Sequence, residues 1–180
     1  DSSISFSGAC ALSAWIKPTG DQSSDIFLGH YSGTTMYTEL NNQSIVTRWG
    51  GSGVGSSGIT VSNGSWYHVL INRDVSNNVT LYINGVSRGT GSISASLTVS
   101  KLTDQTYCYG GFADEYAMWD SDQSSNISAI YNSGVAADLT SYSPLHWWRM
   151  GDNDGGTGTT ITDQGSGSND GTLTNGPTFS

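Results

Sequence analysis

Asp114 and Glu115 stand side by side in the run Gly110-Gly111-Phe112-Ala113-Asp114-Glu115-Tyr116. Two carboxylates that cleave a glycosidic bond must lie about 5 to 9.5 Å apart and face the same substrate. Adjacent residues on a strand point to opposite sides, so this pair is not expected to act together. Glu39 has no acidic neighbour along its own segment. His30, His68 and His146 fall on separate predicted strands with no nucleophile motif beside them, which leaves no Ser, His and Asp arrangement. The chain is therefore expected not to be an enzyme.

Hard oxygen donors gather near the C-terminus. Asp152, Asn153 and Asp154 precede glycines, and Asp163 follows eleven residues after Asp152. Asp152, Asp154 and Asp163 could converge on a calcium ion, which takes about six to eight oxygens. The sixth position of a calcium loop calls for glycine, and here it is Thr157. Asp163 and Asp170 could equally bridge turns by accepting hydrogen bonds from nearby backbone amides.

Trp49 is the candidate aromatic platform. It ends a predicted strand beside Arg48 and enters a glycine-rich stretch, with Tyr31, Tyr37 and Glu39 on neighbouring predicted strands. Sugars stack their C–H faces on an aromatic plane while their hydroxyls need fixed polar partners, and this set offers both. An exposed Trp at a subunit contact would look the same. Trp15, Trp66 and Trp119 lie in recognisable strands and read as core or sheet-covering residues.

The elements that must position these groups are strands. Runs of four to eight residues rich in β-branched and aromatic side chains recur between Gly, Asn, Asp and Ser clusters. They predict strands near 3–7, 11–18, 25–31, 35–40, 44–49, 58–62, 66–73, 78–84, 97–102 and 111–119, with two more near 145–150 and 170–174. Val79, Leu81 and Ile83 alternate with Thr80, Tyr82 and Asn84, and Asn84-Gly85 is the dipeptide that tolerates the positive φ angles of a tight hairpin. Gly50 to Gly58 reads as a mobile loop. One short helix is predicted after Asp120, with capping candidates in 121–125, Ile127, Ile130 and Tyr131 at helical spacing, and Gly134 as its stop.

Charge narrows the partners. Fifteen acidic and six basic residues give a net charge of −9, a field that repels phosphate backbones and anionic membranes. Nucleic acid is excluded as a partner, and cations and neutral polyhydroxylated ligands suit the chain better. Charged residues make up 12%, against an average of about 25%, so hydroxyls and amides carry the surface. No apolar run approaches the roughly 20 residues that span a bilayer, which predicts a soluble protein without membrane insertion. Sequons at Asn42, Asn63, Asn78 and Asn126 follow from the abundance of Asn, Ser and Thr.

Four segments together resemble the laminin G-like branch of the concanavalin A-like jelly rolls: Ala11 to Pro18, Trp66-Tyr67-His68-Val69, Leu81 to Gly85, and Gly110 to Tyr116. The resemblance implies an all-β, two-sheet antiparallel jelly-roll sandwich with one short helix packed at the sheet edge. It also implies a structural Asp114, bonded to backbone amides of an adjoining loop. Glycan-cleaving relatives carry Glu, Asp and Glu at alternating positions of one strand, a pattern this chain lacks. Cys10 and Cys108 would lie near opposite ends of antiparallel strands, and a bridge needs their α-carbons within about 7 Å.

The C-terminal segments Leu145 to Met150, Thr159 to Asp163 and Asn169 to Leu173 look like the opening of such a domain, here placed last. Residues 1–180 are then one jelly roll, and 141–180 complete its sheet in cis or are donated to a neighbouring copy. The wording of this tail resembles laminin G-like domains in structural proteins of aquatic tailed bacteriophages, and secreted bacterial adhesins carry similar domains. The implied function is non-enzymatic display at a virion surface or outside the cell, as a decoration, knob or fibre component. Its partners would be copies of itself, other virion proteins, or a cell-surface glycan. The alternative is a carbohydrate-binding or adhesion module of a secreted bacterial protein, with calcium as a candidate cofactor.

Overall fold

The structure, a computed structural model, describes residues 3–20, 23–31, 36–50, 52–56, 58–103, 106–107 and 109–179. In chain order its strands are β1 (Ile4–Phe6), β2 (Cys10–Pro18), β3 (Ser23–Gly29), β4 (Met36–Asn41), β5 (Ser44–Trp49), β6 (Ser52–Ser56), β7 (Tyr67–Arg73), β8 (Asn78–Ile83), β9 (Val86–Ser92), β10 (Leu97–Val99), β11 (Gly111–Trp119), β12 (His146–Trp148), β13 (Thr160–Ile161) and β14 (Gly171–Thr172), with helix α1 (Ile127–Tyr131) between β11 and β12. One sheet has the order β12-β11-β2-β7-β8-β9 and the other β3-β4-β5-β6, while β1 pairs with β10 and β13 with β14. Every pairing is antiparallel. This is the expected all-β, two-sheet jelly-roll sandwich.

Period-two alternation builds the core. Leu12, Ala14 and Ile16 of β2, Val69 and Ile71 of β7, and Val79, Leu81 and Ile83 of β8 enter one apolar cluster with Leu40, Ile45 and Trp49 from the opposite sheet. A second cluster on the outer side of the six-stranded sheet joins Ala11, Leu70, Ala117, Trp119 and Trp147 to Ile127 and Ile130 of α1. The helix thus covers a sheet face rather than packing at an edge. Asn72 of β7 anchors its approach: Nδ2 donates to Asp122 Oδ1 at 2.8 Å, and Oδ1 accepts from the Gln123 amide at 2.8 Å. The helix stops at Asn132, in the left-handed region, two residues before the expected Gly134. Asparagine tolerates that conformation well enough to end a helix.

The hairpin at Asn84-Gly85 forms with φ of 50° and 74° and leads into β9, a strand that the alternation pattern did not reveal. The Gly50–Gly58 stretch, expected as a loop, instead contains β6, paired with β5 through Val46, Thr47, Arg48 and Trp49. Its glycines serve contact: a Cβ on Gly55 would lie 2.8 Å from the Cα of Gly89 on β9. The edges of the two sheets meet there, backbone against backbone. The expected strand at 58–62 does not form, although Val61 is buried and its amide donates to the Gln43 carbonyl at 2.7 Å.

Plain alternation would put Phe112, Asp114, Tyr116 and Met118 on one face of β11, and a bulge breaks that phase. Asp114 pairs with Trp15 but Ala117 with Ser13, so β11 carries an extra residue there, and Glu115 has φ of 50°. Phe112 and Asp114 consequently share the outer face with Lys17 and Trp15, while Tyr116 and Met118 turn to the core. Near the C-terminus, β12 pairs with β11 of its own chain, Trp148 and Ile161 enter the main core, and Trp147 enters the second cluster. Cys10 is buried, which pushes its thiol up to about 11, and Cys108 lies outside the described residues. No helix among the described residues is long and apolar enough to cross a membrane.

Candidate functional site

The outer face of the four-stranded sheet brings four of the five expected ligand residues together. On β4, Met36, Thr38 and Leu40 point inward, which leaves Tyr37 and Glu39 facing out. On β5 the inward set is Ile45, Thr47 and Trp49, so Arg48 faces out, directly opposite Tyr37. Arg48 Nε lies 3.6 Å from Glu39 Oε1. Tyr31 stands edge-on to Tyr37 with centroids 5.6 Å apart, and Tyr107 stands edge-on to Tyr31 at 5.5 Å. Tyr31 is 59% and Tyr107 39% exposed. Burial, and next the Glu39 carboxylate, push the Tyr37 phenol above its ordinary value, so it remains a neutral donor at physiological pH.

This is a surface of three tyrosines beside a charge pair whose hydrogen-bonding groups differ in kind. Arg48 donates, the largely buried Glu39 accepts, and the tyrosine rings offer apolar faces. Tyr107 was not anticipated, because no strand pattern surrounds it. The backbone delivers it: the Tyr107 carbonyl accepts from the Ile26 amide at 2.9 Å, pinning this loop to β3.

Trp49 does not join the platform. It is 1% exposed and lies in the main core, because the residue after an outward Arg48 must face inward. Trp66 departs from expectation in the other direction and is 42% exposed. Trp15 and Trp119 are buried, as read from the sequence.

The expected calcium ligands are held apart by partners of their own. Asp163 Oδ1 accepts from the Trp147 and Gly165 amides, each at 2.8 Å, and Oδ2 from the Asn169 amide at 2.8 Å and His146 Nδ1 at 2.6 Å. Burial alone would raise the Asp163 pKa, but these donors bring it below the usual carboxylate range. Asp152 Oδ2 pairs with Arg149 Nη2 at 2.8 Å, and Asp154 accepts from the amide and hydroxyl of Thr162. Among the described residues no three His, Cys, Asp or Glu side chains are grouped to hold a metal. Asp152, Asp154 and Asp163 each have protein partners in this arrangement, and Asp170 accepts from the Asp163 amide at 2.9 Å.

The Asp114-Glu115 pair is similarly occupied. Buried Glu115 accepts from Trp147 Nε1 at 2.5 Å and Arg149 Nε at 3.0 Å. Asp114 accepts from the Glu115 amide at 2.8 Å, not from an adjoining loop, and burial pushes its carboxyl up to about 6. Beside them a concavity of about 290 Å3 is lined by Asp138, Thr140, Trp147, Arg149, Asn153 and Gln164. Arg149 lies over the Trp147 ring, 5.2 Å from its centroid, and covers the face on which a sugar would stack. His68 stacks on Tyr131 at 6.1 Å and meets the Trp15 ring at a tilt, 5.1 Å between centroids.

Comparison with known proteins bears on the fold. A family model described as the concanavalin A-like lectin/glucanases superfamily matches residues 1–124. A Bacteroides ovatus protein whose description proposes carbohydrate binding superposes with a TM-score of 0.73 at 16% identity, over 97% of this chain and 54% of its own. This chain thus spans about half the length of that protein. Domain 4 of AbnA, an extracellular arabinanase from Geobacillus stearothermophilus solved in complex with arabinotriose, gives 0.51 at 18% identity, over 70% of this chain and 68% of its own. A heptameric SAP-like pentraxin from Limulus polyphemus gives 0.52 at 15% identity, over 72% and 75%. No curated protein matches.

Proposed function

The chain belongs to the concanavalin A-like lectin/glucanases superfamily, and from that premise we propose that it is a non-enzymatic glycan-recognition module. Its binding face is the outer surface of the four-stranded sheet, where Tyr31, Tyr37 and Tyr107 offer stacking planes and Arg48 and Glu39 offer a donor and an acceptor. The observation that carries this reading is the placement of the Tyr31–Tyr37–Tyr107 cluster beside the Arg48–Glu39 pair. An aromatic plane flanked by fixed polar groups is what a neutral sugar needs. The absence of a catalytic role is supported by Glu115, whose oxygens are both engaged by Trp147 and Arg149.

Residues 1–180 act as one recognition unit, with the tail completing the sheet in cis through β12. Display of that unit, on a virion or on a secreted protein, follows from the sequence resemblance. The acidic surface suits neutral glycans over phosphate-bearing partners.

The test is a glycan array probed with the full chain, followed by titration of the best ligand, with arabinotriose included because a similar domain was solved with it. A neutral oligosaccharide should bind, and Tyr37→Ala should weaken it about tenfold or more, the loss of one stacking contact of about 1.4 kcal/mol. The melting temperature should change little. Binding that persists unchanged in a Tyr31→Ala, Tyr37→Ala double variant places the site elsewhere, and an array with no ligand refutes the recognition role.

A further inference from the structure

Lys17 sits at the outer end of β2, directly across from Phe112 on β11. Its Nζ lies 4.5 Å from the Phe112 ring centroid and 5.5 Å from that of Trp66, the residue that leads into β7. Both rings are open to solvent, Phe112 at 38% and Trp66 at 42% exposed. The backbone fixes the arrangement, since the Gly64 amide donates to the Pro18 carbonyl at 2.8 Å and the Asn63 side-chain amide to the Gly20 carbonyl at 2.9 Å. That turn holds Trp66 against the end of β2.

Three of the six basic residues are committed to partners elsewhere. Arg48 pairs with Glu39, Arg149 pairs with Glu115 and Asp152, and Arg73 is buried against backbone carbonyls. None of the ion pairs among the described residues includes Lys17. In a protein of net charge −9, this ammonium is held by two exposed rings instead of a carboxylate. Exposed large aromatics are otherwise costly to display, and a cluster of them marks an interaction site.

We infer that Trp66, Lys17 and Phe112 form a second recognition site, on the opposite face of the sandwich from the tyrosine cluster, for a sugar bearing a carboxylate. The indole and phenyl rings take the C–H faces of the pyranose, and the Lys17 ammonium pairs with the acid. A ligand whose negative charge is local suits the site, because the −9 field opposes polyanions at long range yet is screened beyond about 10 Å at ordinary ionic strength. A neutral sugar would use the rings alone and gain nothing from Lys17.

The experiment titrates the full chain with trigalacturonate, a glucuronate disaccharide and sialyllactose, each beside its methyl-ester form, at two salt concentrations. At least one acid should bind more tightly than its ester, and more weakly as salt rises. Lys17→Gln, which keeps the aliphatic stem, should abolish the preference for acid over ester, about a twofold to fivefold loss. Trp66→Ala should weaken acid and ester alike, and the preference for acid over ester should survive in a Tyr31→Ala, Tyr37→Ala background, which separates this site from the tyrosine face. Equal affinity for acid and ester, or a preference that survives in Lys17→Gln, overturns the assignment. So does the failure of all three acids to bind at millimolar concentration.

Discussion

The guanidinium carbon of Arg73 lies 4.8 Å from the centroid of the Trp49 ring, inside the main core. Arg73 Nη1 donates to the Ala95 carbonyl at 2.7 Å, and Nη2 to the carbonyls of Phe6 and Gly8. A buried cation is thus held by backbone oxygens and an indole face instead of a carboxylate. The ring supplies apolar packing and a cation–π contact at once, which explains why a Trp rather than a Leu closes this part of the core.

Trp49→Ala should therefore behave as a core mutation. It leaves a large cavity and strips the Arg73 guanidinium of its aromatic cover, and should cost about 3–5 kcal/mol. Urea denaturation measures that loss, while the fraction that remains folded should bind glycan as before. A loss of binding with unchanged stability would instead return Trp49 to the surface.

The acid dependence of stability should reflect two opposed groups. Burial holds the His68 imidazole down at about 4, against its ordinary 6.5. As pH falls through that window the unfolded chain takes up the proton first, so His68 costs the fold stability. Asp114 has the opposite sign, because burial raises its carboxyl from 3.8 to about 6. Below pH 6 the native state takes up that proton first, so Asp114 returns stability as pH falls. Each slope is about 1.4 kcal/mol per pH unit where only one state is protonated, and between pH 6 and 4 the two largely cancel. Asp114→Asn keeps the hydrogen bond from the Glu115 amide and removes the titration. Its urea midpoint should drop steeply from pH 6 to 4 where the parent stays flat; parallel curves would count against both assignments.

Gly55 and Gly53 make a matched pair for the sheet edge. A Cβ at Gly55 would lie 2.8 Å from the Gly89 Cα, whereas one at Gly53 meets nothing within 4 Å. Gly55→Ala should push β6 from β9 and cost about 1–3 kcal/mol, as overpacking does. Gly53→Ala should be close to neutral. Equal effects would mean that the sandwich edge does not close through that contact.

These glycines also show where the sequence was opaque. Strands β2, β5 and β11 were legible because long alternating apolar runs set their phase, and Asn84-Gly85 named its own turn. Strand β9 was hidden, since Ser87, Arg88, Gly89, Thr90 and Gly91 carry no apolar alternation, and β6 read as a loop because close backbone approach selects the same residue as flexibility. Both misplaced tryptophans follow from position on a strand. Trp49 turned inward by the one-residue phase that sends Arg48 out. Trp66 precedes β7 and so escapes its alternation. The Glu115 bulge shifted the facing of Asp114 in the same way, and Tyr107 reached the tyrosine cluster through a backbone contact that no local pattern encodes.

Asp163 separates a turn clamp from a metal ligand. Its oxygens satisfy three backbone amides and His146, and Trp148, next along β12, forms an isolated bridge with Asp163 itself. Asp163→Ala would leave those buried amides without acceptors, at about 1–3 kcal/mol each before relaxation, so the variant should lose about 3 kcal/mol or more and become open to proteolysis between 149 and 170. Because the donors are protein groups, treating the parent chain with a strong chelator should leave its melting temperature where it was. A chelator-induced drop in the parent that vanishes in Asp163→Ala would mean that the carboxylate serves an ion, since only a ligand bound to the native state stabilises it in that way.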